Sequence, residues 1–238
     1  MTDLVLVHGA WHGAWCWRKI EPLLAERAHH VWTPTLTGQG ASAHLAQPWV
    51  NLSTHVQDVA NTILSEELTD IVLVGHSYSG IVTSLVACQM PERIRRLVYL
   101  DAFVPTSGKR LFDLISEQES GQLRAVAANS PKSWLLPPFP PKGYGVTDPD
   151  DTAWLERQLT PMTIACFEEV AQFDEQKLST LQRTYVWASR PDRDRFGRFA
   201  APFRGQGPLS YFEVPSGHDM MITHAAETAQ LLCQLCTN

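Results

Sequence analysis

The chain has no apolar run approaching the ~18 residues that a bilayer-spanning helix needs, so no transmembrane anchor is expected. It has no lysine- or arginine-rich block, and its formal net charge is only -6, which argues against a nucleic-acid partner. Cysteine is sparse, and Cys16, Cys88, Cys166, Cys233 and Cys236 are odd in number and scattered. That pattern does not suit a disulfide framework and fits a reducing compartment. Cys233-Gln234-Leu235-Cys236 has the spacing of a redox or zinc pair but no second pair to complete one, so it reads as buried small hydrophobes. The opening Met1-Thr2-Asp3-Leu4-Val5-Leu6-Val7-His8 lacks the basic start and long apolar stretch of a signal peptide, and a cytoplasmic location is the expectation. No internal repeat is visible.

What the chain does have is apolar surface to bury. With 44% hydrophobic and 18% charged residues over 238 positions, it has the composition of a globular protein with a sizeable core. A single domain over 1–238 is expected. Short apolar runs alternate with helix-like stretches, the pattern of a mainly parallel sheet covered on both faces. The runs predict strands at Leu4–Val7, His30–Thr33, Ile71–Val74, Leu97–Leu100, Thr184–Ala188 and Tyr211–Val214. Helices are expected over Trp17–Glu26, Leu52–Leu64, Gly80–Met90 and His224–Cys236.

The regularity breaks between about residues 106 and 181. This stretch contains Pro137-Pro138-Phe139-Pro140-Pro141, aromatics such as Phe112, Trp134, Trp154 and Phe167, and helix-like pieces around Leu111–Glu119 and Thr152–Phe173. It is too long for a simple crossover, and a solvated loop has no use for so many aromatics. A lid over the strand ends is expected, because ligands bind there in open parallel sheets.

The sharpest chemical signal is Ile71-Val72-Leu73-Val74-Gly75-His76-Ser77-Tyr78-Ser79-Gly80, followed by an apolar helix. A serine at the apex of a tight strand-to-helix turn needs small neighbours two residues away on each side. Gly75 and Ser79 meet that need, and Gly80 allows the helix to pack closely. Ser77 is therefore the candidate nucleophile. A serine hydroxyl is weak at neutral pH and needs a base within hydrogen-bond reach. His218, in Val214-Pro215-Ser216-Gly217-His218-Asp219-Met220, follows the last strand in a glycine turn, where an imidazole can swing back over the sheet.

Acyl transfer also needs donors aimed at the developing oxyanion. The backbone N–H of Tyr78, just after the serine, is one candidate. Ala10, in the loop Val7-His8-Gly9-Ala10-Trp11-His12-Gly13-Ala14-Trp15, is the other, with Gly9 letting that loop turn back toward Ser77. His8 and His12 have the spacing of a metal pair, but no third ligand lies near them in sequence, so no metal site is expected.

The segments His8-Gly9-Ala10-Trp11-His12-Gly13-Ala14-Trp15, Gly75-His76-Ser77-Tyr78-Ser79-Gly80 and Gly217-His218 resemble the α/β-hydrolase superfamily, nearest its small methylesterase and hydroxynitrile lyase-like branch and the bacterial esterase relatives. The resemblance covers the chain outside the lid. It implies an α/β fold with a doubly wound, mainly parallel sheet of about six strands and a helical lid insertion, a serine–histidine–acid triad and no cofactor. It places the nucleophile on Ser77, the base on His218 and the oxyanion donors on the Ala10 and Tyr78 backbone.

The acid stays open at this stage. Its usual place in such proteins follows the strand after the lid, where the spacing lands on Pro191, so Asp192 fits only with a one-residue shift and Asp194 lies further off. A second known place is the end of the strand after the nucleophile helix, here Leu97-Val98-Tyr99-Leu100-Asp101. A carboxylate closing an apolar strand needs a partner if buried. Asp101 is favoured, with Asp192 the alternative.

The hydroxynitrile lyases of this branch carry a lysine after the histidine; Asp219 stands there, which disfavours cyanide release. Haloalkane dehalogenation would need an aspartate in place of Ser77. Hydrolysis of a small carboxylic ester remains, a methyl or aryl ester or a lactone, with an apolar or aromatic acyl group suggested by the lid. The alternatives are a catalytically silent sensor on the same fold, or a non-hydrolytic cyclase or lyase using the same site. A small-molecule ester is the expected partner; a membrane is not, and a homodimer is compatible with the sequence.

Overall fold

The computed structural model describes residues 1–190, 194–205 and 209–237. The strands are β1 (Asp3–Val7), β2 (His30–Trp32), β3 (Ile71–His76), β4 (Ile94–Leu100), β5 (Leu135–Leu136), β6 (Met162–Thr163), β7 (Arg183–Ala188) and β8 (Leu209–Val214). A six-stranded sheet runs in the order β2-β1-β3-β4-β7-β8, with every neighbouring pair parallel. Each expected strand is present, most of them a residue or two longer than the apolar run alone indicates. Helices cover both faces, so the central strands are buried throughout: Leu4 to Val7, Ile71 to Val74 and Leu97 to Leu100 have no exposed surface.

The helices follow from local chemistry. Leu52–Ser65 buries Leu52, His55, Val56, Val59, Ala60 and Ile63 at helical spacing, and Asn51 and Thr54 form its capping box. Ser79–Gln89 is buried from Ser79 to Cys88 because it lies between the sheet and the Leu52–Ser65 helix. The expected helix over Trp17–Glu26 is instead a 3-10 turn at Ala14–Trp17 and a short helix at Glu21–Ala25. Pro22 explains the break, since a proline has no N–H to continue a helix but suits its first turn.

Between β4 and β7 the chain leaves the sheet. It forms helices at Glu117–Ala128, Pro149–Gln158, Ala165–Glu168 and Glu175–Thr180, and β5 pairs antiparallel with β6. The stretch expected to be helical around Thr152–Phe173 is therefore two helices separated by β6. This segment is pinned over the loop after β1: Trp11 Nε1 donates to the Leu136 carbonyl at 2.9 Å, and Thr160 N donates to the Trp11 carbonyl at 2.9 Å. Among the described residues, no helix is long and apolar enough to cross a membrane.

Candidate active site

β3 ends in His76, and Ser77 follows with φ 55°, in the left-handed region that side chains with a β-carbon avoid. The turn is held by packing that leaves no room for larger neighbours. A β-carbon on Gly75 would collide with Thr83 Oγ1 and the Ser79 carbonyl, and one on Gly80 with the Phe103 carbonyl. The Ser79 hydroxyl is used too, donating to the His8 carbonyl. The Ser77 amide donates to the Leu100 carbonyl at 3.3 Å and the Ser77 carbonyl accepts from Phe103 N at 3.1 Å, tying the turn to the end of β4. Between residues 71 and 80 only Ser77 is not fully buried.

The end of β4 carries Asp101, also left-handed at φ 42° and only 2% exposed. Its Oδ2 lies 2.6 Å from His218 Nδ1, and its Oδ1 accepts from Ala188 N at 3.2 Å. The Tyr185 hydroxyl closes the turn beyond it, accepting from Ala102 N at 3.0 Å and donating to the Ala102 carbonyl at 2.7 Å. Burial raises the Asp101 carboxyl above its ordinary value, and the His218 hydrogen bond and charge work against that rise. The position expected to need a partner thus has one. Asp194 is engaged elsewhere, accepting from Gly197 N at 2.6 Å on the surface. Asp192 lies outside the described residues.

His218 is set by contacts on each side. Phe196 stacks on its ring at 4.8 Å with parallel planes, and His76 lies 4.5 Å away on ring centroids. His76 Nε2 donates to the His218 carbonyl at 3.2 Å. Burial first, then the neighbouring His218 and His12, pushes His76 well below the ordinary histidine range, so it stays neutral. The turn also rests on the β4–β7 segment: Asp219 N donates to the Tyr144 carbonyl at 2.9 Å. A β-carbon on either Gly145 or Gly217 would sit 2.7 Å from the other's Cα.

The loop after β1 passes close to the serine, and a β-carbon on Gly9 would lie 2.9 Å from both Ser77 Cβ and His76 Nδ1. Ala10 is buried beside it, and Trp11 adopts φ 66°. Tyr78 is the N-cap of the Ser79–Gln89 helix, and its hydroxyl donates to His55 Nδ1 at 3.0 Å while His55 Nε2 donates to the Thr37 carbonyl at 2.9 Å. His8 and His12 do not form a metal pair, because protein groups already occupy both ring nitrogens of each. His8 Nδ1 donates to the Gly9 carbonyl and its Nε2 accepts from Leu36 N. His12 binds the Ala10 carbonyl at 2.8 Å and Asp219 Oδ2 at 2.9 Å.

Ser77, His218 and Asp101 line one cavity of about 490 Å³. Its walls are aromatic, from Trp11, Phe139, Tyr144 and Phe196, with Lys142 and Arg195 also facing it. Trp11 meets Phe139 edge-on at 5.0 Å, and the Arg195 guanidinium lies over Phe139 at 5.8 Å. Sequence reasoning did not single out Phe196, Tyr144 or the buried His12–Asp219 pair. Phe196 lay in the loop read only for an acid, and His12 and Asp219 are 207 residues apart.

Comparison with known proteins agrees with this architecture. The sequence profile of the Alpha/beta hydrolase family matches residues 4–231. The chain is 38% identical over 243 residues to a carbendazim hydrolyzing esterase of Nocardioides sp. (strain SG-4G), covering 99% of this chain and 100% of that one. It is 26% identical over 200 residues to methyl jasmonate esterase 1 of Vitis vinifera, covering 76% of each. Among solved structures, an extracellular alpha/beta-hydrolase from a Paenibacillus species superposes with a TM-score of 0.84 at 23% identity, over 98% of both chains. Tomato methylketone synthase I complexed with 2-tridecanone gives 0.83 at 21% identity, over 99% of this chain and 98% of that one. At such identities the structural likeness speaks for the fold alone.

Proposed function

The chain belongs to the alpha/beta hydrolase family, and from that premise we propose that it is a serine esterase of small carboxylic esters working through Ser77, His218 and Asp101. One observation carries the reading: a serine at φ 55° and a histidine bound at 2.6 Å to a buried carboxylate open onto the same cavity. In this reading Ser77 Oγ attacks the ester carbonyl while His218 takes its proton. Asp101 accepts from His218 Nδ1–H, fixing the tautomer and stabilising the imidazolium. The tetrahedral oxyanion is held by the Ala10 and Tyr78 N–H groups. His218 then returns the proton to the departing alcohol, leaving an acyl group on Ser77. A water molecule, deprotonated by His218, releases the acid and restores the serine.

The aromatic walls support a flat apolar or aromatic acyl group on a methyl or aryl ester, or a lactone. The names of the two sequence relatives, hydrolases of carbendazim and of methyl jasmonate, lend weight to a small ester-like substrate. The segment over 106–181 is proposed as the lid of a single-domain enzyme, since it brings Phe139 and Tyr144 to the cavity. The five unpaired cysteines support a cytoplasmic, reducing location.

The test is hydrolysis of a short p-nitrophenyl ester and a methyl-ester and lactone panel by wild type and Ser77→Ala. Turnover that vanishes in Ser77→Ala is expected. Silence of wild type across the panel would replace the esterase with a small-ligand sensor or a non-hydrolytic enzyme.

A further inference from the structure

Beneath the site lies a second histidine–carboxylate pair that the reaction itself does not touch. His12 and Asp219 meet at 2.9 Å with side-chain exposures of 1% and 0%. The other ring nitrogen of His12 lies 2.8 Å from the Ala10 carbonyl. A carbonyl and an ionised carboxylate only accept, so His12 donates from both nitrogens, which is the bonding of an imidazolium. Burial opposes that charge, but the field and hydrogen bond of Asp219 outweigh it and hold His12 above the ordinary histidine range. Either charge alone would be costly at this depth.

The pair joins the parts of the site that come from distant stretches of chain. His12 follows Ala10 by two residues, and its own amide closes the turn onto the Gly9 carbonyl at 3.4 Å. Asp219 follows His218 directly and binds the Tyr144 carbonyl through its amide at 2.9 Å. Trp15 stacks on the His12 ring at 5.3 Å, and Tyr144 meets its face edge-on at 5.0 Å. Asp219 Oδ1 makes no hydrogen bond and faces His76 Nε2 at 3.7 Å.

We propose that Asp219 and His12 form a strut that sets the Ala10 amide relative to His218, making both positioning residues for the oxyanion donor. This rests on the Ser77 reading above. The physical reason is geometric, since a donor stabilises the transition state only from within about 2.7–3.1 Å of the oxyanion's position. Loss of the strut frees the Ala10–Trp11 peptide, whose carbonyl His12 Nδ1 holds, and through it the adjoining Gly9–Ala10 peptide that carries the donor N–H, which weakens the transition state and leaves ground-state binding alone. Asp219→Asn preserves the strut in a neutral form: the side-chain amide donates to His12 Nε2, and His12 Nδ1–H stays on the Ala10 carbonyl.

The experiment measures kcat and KM for a p-nitrophenyl ester, and the affinity of a trifluoromethyl ketone whose hemiketal oxyanion occupies the same donors. The variants are Asp219→Ala, His12→Ala, their double variant and Asp219→Asn. Because a displaced donor costs less than a deleted one, Asp219→Ala is expected to lower kcat by about 30-fold, weaken the ketone in parallel and leave KM within about threefold. The double variant is expected to lose no more than the worse single variant. Asp219→Asn returns to within about fivefold of wild type on the same scale.

The strut is overturned if folded Asp219→Ala keeps kcat within about twofold of wild type, if the loss falls in KM, or if the single losses multiply in the double variant. A different failure identifies direct action on His218, since a ring nitrogen of His76, a ring nitrogen of His218 and a carboxylate oxygen of Asp219 all lie within 4.8 Å of one another. In that case Asp219→Asn loses as much as Asp219→Ala and shifts the acid limb of the pH–rate profile, while His12→Ala leaves that limb in place. If Asp219→Ala does not fold, Asp219→Ser takes its place in the comparison. Activity persisting in Ser77→Ala would instead count against the esterase reading that the strut serves.

Discussion

Two histidine–aspartate pairs lie side by side in this molecule. His218–Asp101 spans 2.6 Å and His12–Asp219 spans 2.9 Å. Both carboxylates are buried, at 2% and 0% exposure. The difference is where the imidazole ends. His218 lines the cavity with Ser77, whereas both nitrogens of His12 are consumed, one by a carboxylate and one by a backbone carbonyl. A histidine–carboxylate contact is therefore no sign of a base by itself. The imidazole must also present an edge to a space that a substrate can enter.

The surroundings sharpen the contrast. Ser77, Asp101 and Trp11 are three of the six described non-glycine residues with positive φ, and all three line the cavity. Such conformations cost of order 1–3 kcal/mol each and persist where surrounding structure enforces them. Here the enforcement is visible in the Ser77–Leu100, Ser77–Phe103 and Tyr185–Ala102 hydrogen bonds.

The comparison breaks most sharply at the serine. Ser77→Ala, or His218→Ala, is expected to cut ester turnover by about 10⁴-fold or more, measured as kcat on a p-nitrophenyl ester. A residue acting only in packing would not produce that. Next comes the choice of carboxylate. Asp101→Asn is expected to lower kcat by about 10³–10⁴-fold, with Asp192→Asn within about twofold of wild type. The reverse result would move the acid to Asp192. The strut variants follow, at about 30-fold in kcat for Asp219→Ala.

A smaller effect separates the buried histidines by pH. Burial above all, with the nearby charges of His12 and His55 adding to it and the Gly9 hydrogen bond working against it, pushes His8 down to about 3. His76 and His55 are lowered as well, in both cases chiefly by burial. These groups bind protons in the unfolded chain before they do in the folded one. Their contribution is present above the ordinary histidine value and is lost as pH falls below it, at up to about 1.4 kcal/mol per pH unit for each group. His12 is raised, so its contribution has the opposite sign: present below the ordinary value and lost as pH rises through the folded one. The melting temperature should therefore fall on both sides of near-neutral pH. His12→Ala should flatten the alkaline side only, as followed by thermal melts across a pH series. The smallest expected change is Phe196→Ala, which removes the ring stacked on His218 and should lower kcat by about fivefold with KM little altered.

Much of this is legible in the amino-acid sequence. A parallel strand covered on both faces must be apolar at every position, so Leu4–Val7, Ile71–Val74 and Leu97–Leu100 announce themselves as runs. The turn at Ser77 was readable because Gly75 and Gly80 are demanded by contacts within a few residues or one strand away. Asp101 could be favoured because a carboxylate at the end of a buried strand needs a partner. The helix boundary after Trp17 is not legible from periodicity, which runs through Pro22 and takes no account of its missing N–H. The His12–Asp219 pair is illegible in the sequence, since no local pattern links residues 207 positions apart and the local context of Asp219 shows only a charge beside His218.

The most direct test of the central claim is to treat the folded protein with a fluorophosphonate and map the adduct by peptide mass spectrometry. A single adduct on the peptide containing Ser77, formed orders of magnitude more slowly in His218→Ala and Asp101→Asn, is the predicted result. Ester hydrolysis that continues with no adduct on Ser77, or an adduct on another residue that abolishes activity, would contradict it.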